Sequence, residues 1–196
     1  MIVILDYGMG NLRSVERAVR HLGFECSIQP DLAGASKLIL PGVGAFGAAM
    51  QRLGPMVGAI REFAASGRPV MGICLGQQLL FDLSEEMGSH EGLGLIPGRV
   101  RYFSPDMGLK IPHVGWNELR FAREAGLGEG SKPGDQVYFV HSLFTECAQP
   151  SDVAAECSYG ITFAAAVQRE NVWGAQFHPE KSGAVGLRIL GNFLRC

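Results

Sequence analysis

The sequence predicts an α/β fold: a three-layer open sheet, mostly parallel, with an antiparallel portion in the second half, in one domain over 1–196. Three observations predict it. Through the first half, short apolar runs ending in glycine alternate with helical periodicity, the pattern of parallel strands joined by crossover helices. The second half is strand-like with little helix between the strands, which calls for antiparallel pairing. Between the halves stands Gly72-Ile-Cys74-Leu-Gly76, a cysteine flanked by glycines where an apolar strand gives way to a helix.

The elements follow in order. Ile2 to Leu5 is apolar and reads as a buried strand. Asn11 is placed to cap a helix in which Leu12, Val15, Val19 and Leu22 recur on one face, and Gly23 stops it. Cys26 to Gln29 is a weaker strand, and Lys37 to Leu40 a stronger one running into Pro-Gly-Val-Gly. Helical segments follow at 45–53 and 55–66. Pro69 to Ile73 is a short buried strand, and a helix is expected from Gly76 to Leu83. RVRYF, QVYFV, VAAEC, TFAAAVQ and VWGAQF then read as strands, and Leu187, Leu190 and Leu194 mark a last amphipathic helix. No repeat, low-complexity tract or linker divides the chain.

Bulk composition excludes several classes of function. Hydrophobic residues make up 47% and charged residues 18%, and seventeen Lys and Arg oppose nineteen Asp and Glu for a net charge of −2. There is no basic run, so no nucleic-acid partner is expected. No apolar stretch approaches the roughly 18 residues of a membrane span, and the N-terminus lacks the layout of a signal peptide. Five cysteines without paired spacing argue against a disulfide framework and for the cytoplasm.

The glycine-flanked cysteine has the layout of a nucleophile elbow, in which small neighbours let strand and helix approach around a strained turn. The thiol of Cys74 then projects at the carboxyl end of the sheet, where open α/β folds place their ligands. A helix N-terminus favours thiolate, below the free cysteine value of about 8.5. The backbone N–H of Leu75 points where an oxyanion would form. The competing reading is a buried cysteine in a glycine-rich turn.

A thiol nucleophile needs a base, and the base an orienting group. His178-Pro179-Glu180 follows the strand VWGAQF. Proline biases the histidine towards extended geometry, and residues two apart in an extended segment share a side, so Glu180 is expected to hold the imidazole. Lys181, by the same rule, should face away. Pro41-Gly42-Val43-Gly44 can present the N–H groups of Val43 and Gly44 to an anion. His113 and His141 lack metal-ligand spacing, and His113 reads as a satisfied polar histidine. No metal site is expected. Asp6-Tyr-Gly8-Met-Gly10 lacks the third glycine of a dinucleotide fingerprint, because Arg13 stands there.

Taken together, GICLGQQ and FHPE resemble the class I, triad-type glutamine amidotransferases. DYGMGNLRSV, PGVGAF, PHVGWN, YFVHS and QFHPEKS narrow the resemblance to the glutaminase subunits of imidazole glycerol phosphate synthase. The resemblance implies Cys74 as nucleophile, His178 as general base and then acid, and Glu180 as orienting group. It implies an oxyanion hole from Leu75, Val43 and Gly44. Gly42, Gln78, Glu86, His141 and Ser142 match substrate-side positions, and Leu143 stands where an aromatic residue is usual. L-Glutamine is the implied substrate, with no cofactor. The implied partner is a cyclase subunit forming a heterodimer, met by Trp116, Asn117 and Lys181. Glutaminases of pyridoxal phosphate or anthranilate synthesis remain alternatives. A cysteine peptidase or esterase is a further rival, and a regulatory binding module would need a broken triad.

Overall fold

The computed structural model describes residues 1–196. Its first half contains β1 (Ile2–Leu5), α1 (Leu12–His21), β2 (Cys26–Gln29), β3 (Lys37–Gly42), α2 (Phe46–Leu53), α3 (Val57–Ala65), β4 (Val70–Cys74) and α4 (Leu75–Leu79). The strands lie in the order β2-β1-β3-β4, all parallel. Successive strand side chains point to opposite faces, and β1 shows the result. Ile2 and Ile4 pack with Val15 and Val19 of α1, whereas Val3 and Leu5 pack with Phe46 of α2 and Phe63 of α3.

Asn11 occupies the expected cap position, but its side chain makes no capping bond. Only its carbonyl joins the helix, accepting from Val15 N at 3.3 Å. At the other end Gly23 takes φ +85°, the left-handed geometry that glycine tolerates and that ends helices.

The second half comprises β5 (Phe81–Ser84), β6 (His90–Glu91), β7 (Ile96–Tyr102), β8 (His113–Glu118), β9 (Arg120–Phe121), β10 (Gln136–His141), β11 (Leu143–Cys147), β12 (Val153–Tyr159), β13 (Ile161–Arg169), β14 (Val172–Ala175) and α5 (Gly183–Arg195). β14 returns to lie parallel beside β4, and β13, β11 and β7 extend the sheet with antiparallel pairs. Ile189, Leu190 and Phe193 of α5 join the face covered by α1, completing three layers. The sheet core is parallel and its extension mainly antiparallel.

The helix expected from Gly76 to Leu83 is cut short. α4 ends at Leu79, and Phe81–Ser84 is a strand parallel to β7. The cause is non-local. The carbonyls of Leu79, Leu80 and Phe81 accept from Leu93, Leu95 and Gly94 N–H groups, so donors from a later loop replace the next helical turn.

β8 and β10 form a separate two-stranded sheet, with Trp116 opposite Tyr138 and His113 opposite His141. Its alternation places Val114, Trp116 and Val140 in solvent and both histidines in the core.

Candidate active site

Cys74 is the hinge between β4 and α4, with φ 55° and ψ −110°. A residue with a Cβ pays about 1–3 kcal/mol for such backbone, so the surroundings must hold it there. The two glycines make that possible. A Cβ on Gly72 would overlap the Gly76 carbonyl, and one on Gly76 would overlap the Leu40 carbonyl of β3. Strand, helix and neighbouring strand are therefore in backbone contact around the cysteine.

His178 leaves β14 two residues beyond Gln176, and its Nδ1 lies 2.9 Å from Glu180 Oε1. Both side chains are buried, at 3% and 1% exposure. The extended geometry expected for the whole His-Pro-Glu segment stops at His178; Pro179–Lys181 is a turn of 3-10 helix. Glu180 reaches back to the imidazole because the chain curls, not because alternate residues share a face. Lys181 is exposed and Glu180 buried, as expected, but through the same curl.

Strand β10 fixes the histidine backbone. His178 N donates to the Tyr138 carbonyl (3.1 Å), Ser182 Oγ donates to the His178 carbonyl (2.6 Å), and Tyr138 N donates to Ser182 Oγ (3.0 Å).

His178 Nε2 is buried without a regular partner inside the protein, and Cys74 is the titratable neighbour on that side. Burial opposes the charged imidazolium, but the neighbouring Cys74 and the Glu180 carboxylate on Nδ1 outweigh it and raise His178 to about 9. His141 behaves oppositely: burial holds it neutral and pushes it down to about 3, despite its bond to the Leu143 carbonyl.

These shifts have opposite signs in stability. The raised His178 contributes fully below its ordinary value of 6.5, and that contribution is lost as pH rises through about 9. The depressed His141 contributes above 6.5 and loses its contribution as pH falls towards about 3. Thermal melts should therefore show stability falling from pH 6.5 to about 9, with His178→Gln flattening that slope. An unchanged slope in the variant would contradict the assignment.

A cleft of about 340 Å³ opens over the cysteine, lined by Cys74, His178, Val43, Gly44 and Leu75. Gln78, Glu86, His141 and Ser142 line it too, so the proposed oxyanion and substrate residues converge, separated in sequence but adjacent in space. Gly42 lies just behind, where a Cβ would stand 3.0 Å from Leu75 Cβ. Glu86 also accepts a short hydrogen bond from Phe46 N, capping α2, whose own cap position is Ala45. Trp116 and Lys181 are exposed outside the cleft, and Asn117 is half-buried with Oδ1 against His113 Nε2 at 2.9 Å.

A larger groove, about 690 Å³, runs along Asn117–Glu124 and past Cys157. Burial raises the Cys157 thiol to about 12, and no histidine lines the groove, so it holds no cysteine–histidine pair.

Two contributors escaped the sequence reading. Gln176, fully buried, accepts from Gln78 Nε2 at 3.0 Å and points its own Nε2 at the Cys74 sulfur, 3.9 Å away. Its one signal was a lone amide within the apolar run VWGAQF. Leu143 acts through its main chain: its carbonyl accepts from Gln78 Nε2 (3.3 Å) and His141 Nδ1 (2.7 Å), a role indifferent to the missing aromatic side chain.

Comparison with known proteins agrees with this geometry. The family model described as "Glutamine amidotransferase class-I" matches residues 3–195. The chain is 52% identical to "Imidazole glycerol phosphate synthase subunit HisH" of Syntrophotalea carbinolica, covering 98% of each chain. It is 50% identical to the protein of the same name from Methanosarcina barkeri, covering 98% of this chain and 97% of that one. A crystal structure of a glutamine amidotransferase superposes with a TM-score of 0.77 at 19% identity, covering 99% of this chain and 97% of the other, a likeness of fold.

Proposed function

The chain belongs to the class I glutamine amidotransferase family, and from that premise we propose that it is the glutaminase subunit of imidazole glycerol phosphate synthase, folded as one domain over 1–196. One observation carries the reading of the site: Cys74, held at φ 55° on the elbow, shares one cleft with His178, whose other nitrogen is held by buried Glu180. The near-complete overlap with relatives of that name supports the pathway over pyridoxal phosphate or anthranilate synthesis.

The Cys74 thiol yields its proton to His178 and its sulfur attacks the side-chain amide carbon of glutamine, forming a C–S bond and a tetrahedral oxyanion beside Leu75, Val43 and Gly44. Collapse breaks the C–N bond as His178 protonates the leaving ammonia. Water, deprotonated by His178, then hydrolyses the thioester to glutamate and free Cys74. Each oxyanion donor is worth about 3 kcal/mol of barrier. The cleft suits an amino-acid side chain better than a polypeptide, which disfavours the peptidase reading.

Ammonia passes to the cyclase subunit. The exposed Val114, Trp116 and Val140 beside the cleft, with solvent-facing Lys181, supply an apolar and cationic surface for that partner. Five free cysteines suit a cytoplasmic setting. No helix is long and apolar enough to cross a membrane.

Val43 lies between glycines and is 44% exposed, free to reorient its peptide when a partner docks. Glutaminase turnover should accordingly be low for the isolated chain and rise at least about tenfold with a ligand-bound cyclase subunit. Ammonia release measured in both states tests this; equal, full activity in the two would contradict it.

A further inference from the structure

Asp6-Tyr-Gly8-Met-Gly10, at the end of β1, lacks the dinucleotide fingerprint, yet it lies directly on the turn that carries Val43 and Gly44. The sheet explains why. Alternate residues of a strand between two neighbours turn their main-chain groups to opposite sides. Leu38 N donates to the Pro69 carbonyl, just before β4, so Leu38, Leu40 and Gly42 face β4 and Pro41 faces the β1 side. β1 ends at Leu5, and its pairing with β3 stops at Ile39. The Pro41 carbonyl therefore has no strand opposite it.

Tyr7 fills that gap. Its Oη donates to the Pro41 carbonyl at 2.8 Å. The hydroxyl also presses on the next residue: a Cβ on Gly42 would stand 2.5 Å from Tyr7 Oη and 3.0 Å from Leu75 Cβ. Gly42 has no positive φ, so it is glycine for want of space. Further along the turn, a Cβ on Gly44 would stand 2.9 Å from Met9 Cε.

We propose that Tyr7 is a positioning residue for the oxyanion turn: its hydroxyl stands in for the missing strand, pins the Pro41–Gly42 peptide, and confines reorientation to the Gly42–Val43 peptide that carries the Val43 N–H. The inference rests on the glutaminase reading and deepens it by naming what aims that N–H. A peptide unit turns as one plane about the ψ before it and the φ after it. With the Pro41 carbonyl held and Pro41 φ fixed by its ring, the nearest free torsions are Gly42 ψ and Val43 φ. They swing the Val43 N–H without dragging β3. Without the hydroxyl, the buried Pro41 carbonyl loses its donor, the preceding peptide turns as well, and the Val43 N–H strays from the oxyanion. Transition-state binding then weakens while ground-state binding holds, because Gln78, Glu86 and His141 stand on other elements.

The test uses the complex with a ligand-bound cyclase subunit and compares Tyr7→Phe with a chain carrying 4-aminophenylalanine in place of Tyr7. Phenylalanine removes the hydroxyl and keeps the ring; the amino group restores a donor. Tyr7→Phe should lower kcat about tenfold with KM for glutamine unchanged, and the amino analogue should recover most of the loss. Glutamate γ-semialdehyde adds the Cys74 thiol across its C=O bond, leaving a tetrahedral carbon whose oxygen occupies the oxyanion position. Its inhibition constant should rise about tenfold in Tyr7→Phe, and that of glutamate should not move. A merely structural role would reduce the fraction of active sites, counted with a glutamine-derived electrophile, and leave both constants alone. Unchanged kcat per active site in Tyr7→Phe, semialdehyde and glutamate affinities that shift together, or equal losses in the two variants would each overturn the proposal. If Tyr7→Phe does not fold, the amino analogue and the proton NMR spectrum of the unmodified chain decide. The Tyr7 hydroxyl should give a slowly exchanging resonance; rapid exchange, or an inactive analogue, would overturn the proposal. Absence of glutamine hydrolysis in the unmodified complex would instead remove the functional reading, which the hydroxyl resonance does not depend on.

Discussion

Cys74→Ala should abolish glutamine hydrolysis, by about 10⁴-fold or more, while leaving the fold intact. The sulfur is the one atom at the elbow able to form the acyl intermediate; without it, water would have to attack the amide directly at a site built around a covalent route. Alanine keeps the Cβ and therefore the same backbone strain at φ 55°, so the unfolding midpoint should move little. A glutamine-derived electrophile should label Cys74 in preference to Cys26, Cys147, Cys157 and Cys196. Cys147 and Cys157 are pushed up to about 12 by burial, and Cys26 is raised by burial too, so these thiols resist the proton loss that would make them nucleophilic. The label is located by mass spectrometry of digested protein. Modification chiefly at Cys26 or Cys157, or appreciable turnover in Cys74→Ala, would remove Cys74 from the mechanism.

Much of this site was legible in the sequence because its geometry is local. Gly72 is required by a backbone contact within its own turn and Gly76 by the Leu40 carbonyl of the neighbouring strand, but both flank Cys74 closely enough to leave a short motif. His178 and Glu180 are two residues apart, so their pairing holds whether the intervening backbone is extended or curled. What the sequence hid is set by distant partners. α4 stops where it does because Leu93–Leu95 supply its donors, and nothing in Phe81–Ser84 forbids a helix. The His113–His141 contact spans 28 residues and exists because β8 and β10 pair in that register. Gln176 gains its role only when β14 lies against β4, which carries Cys74. Periodicity predicts that a face is buried; it does not say which polar groups will meet there.

The elbow also yields a structural expectation of similar size. Gly76 has no positive φ, so alanine there suffers no backbone strain and, in an open helix, would stabilise by about 1 kcal/mol. Here the added Cβ overlaps the Leu40 carbonyl. That carbonyl cannot swing aside, because Leu40 lies within β3, opposite Gly72 of β4. Relief requires α4 to move away from β3, which shifts Leu75 N–H from the proposed oxyanion position and separates it from Val43 and Gly44. Gly76→Ala should therefore cost about 3 kcal/mol in urea denaturation, and the folded fraction should lose about a hundredfold in kcat. Gly58→Ala is the control: it lies in α3 with nothing within 4 Å of where its Cβ would stand, and should be neutral or slightly stabilising. Equal stability of the two variants would mean that strand and helix do not meet as closely as the elbow requires, and the argument for Cys74 as a geometrically forced nucleophile would lose its support.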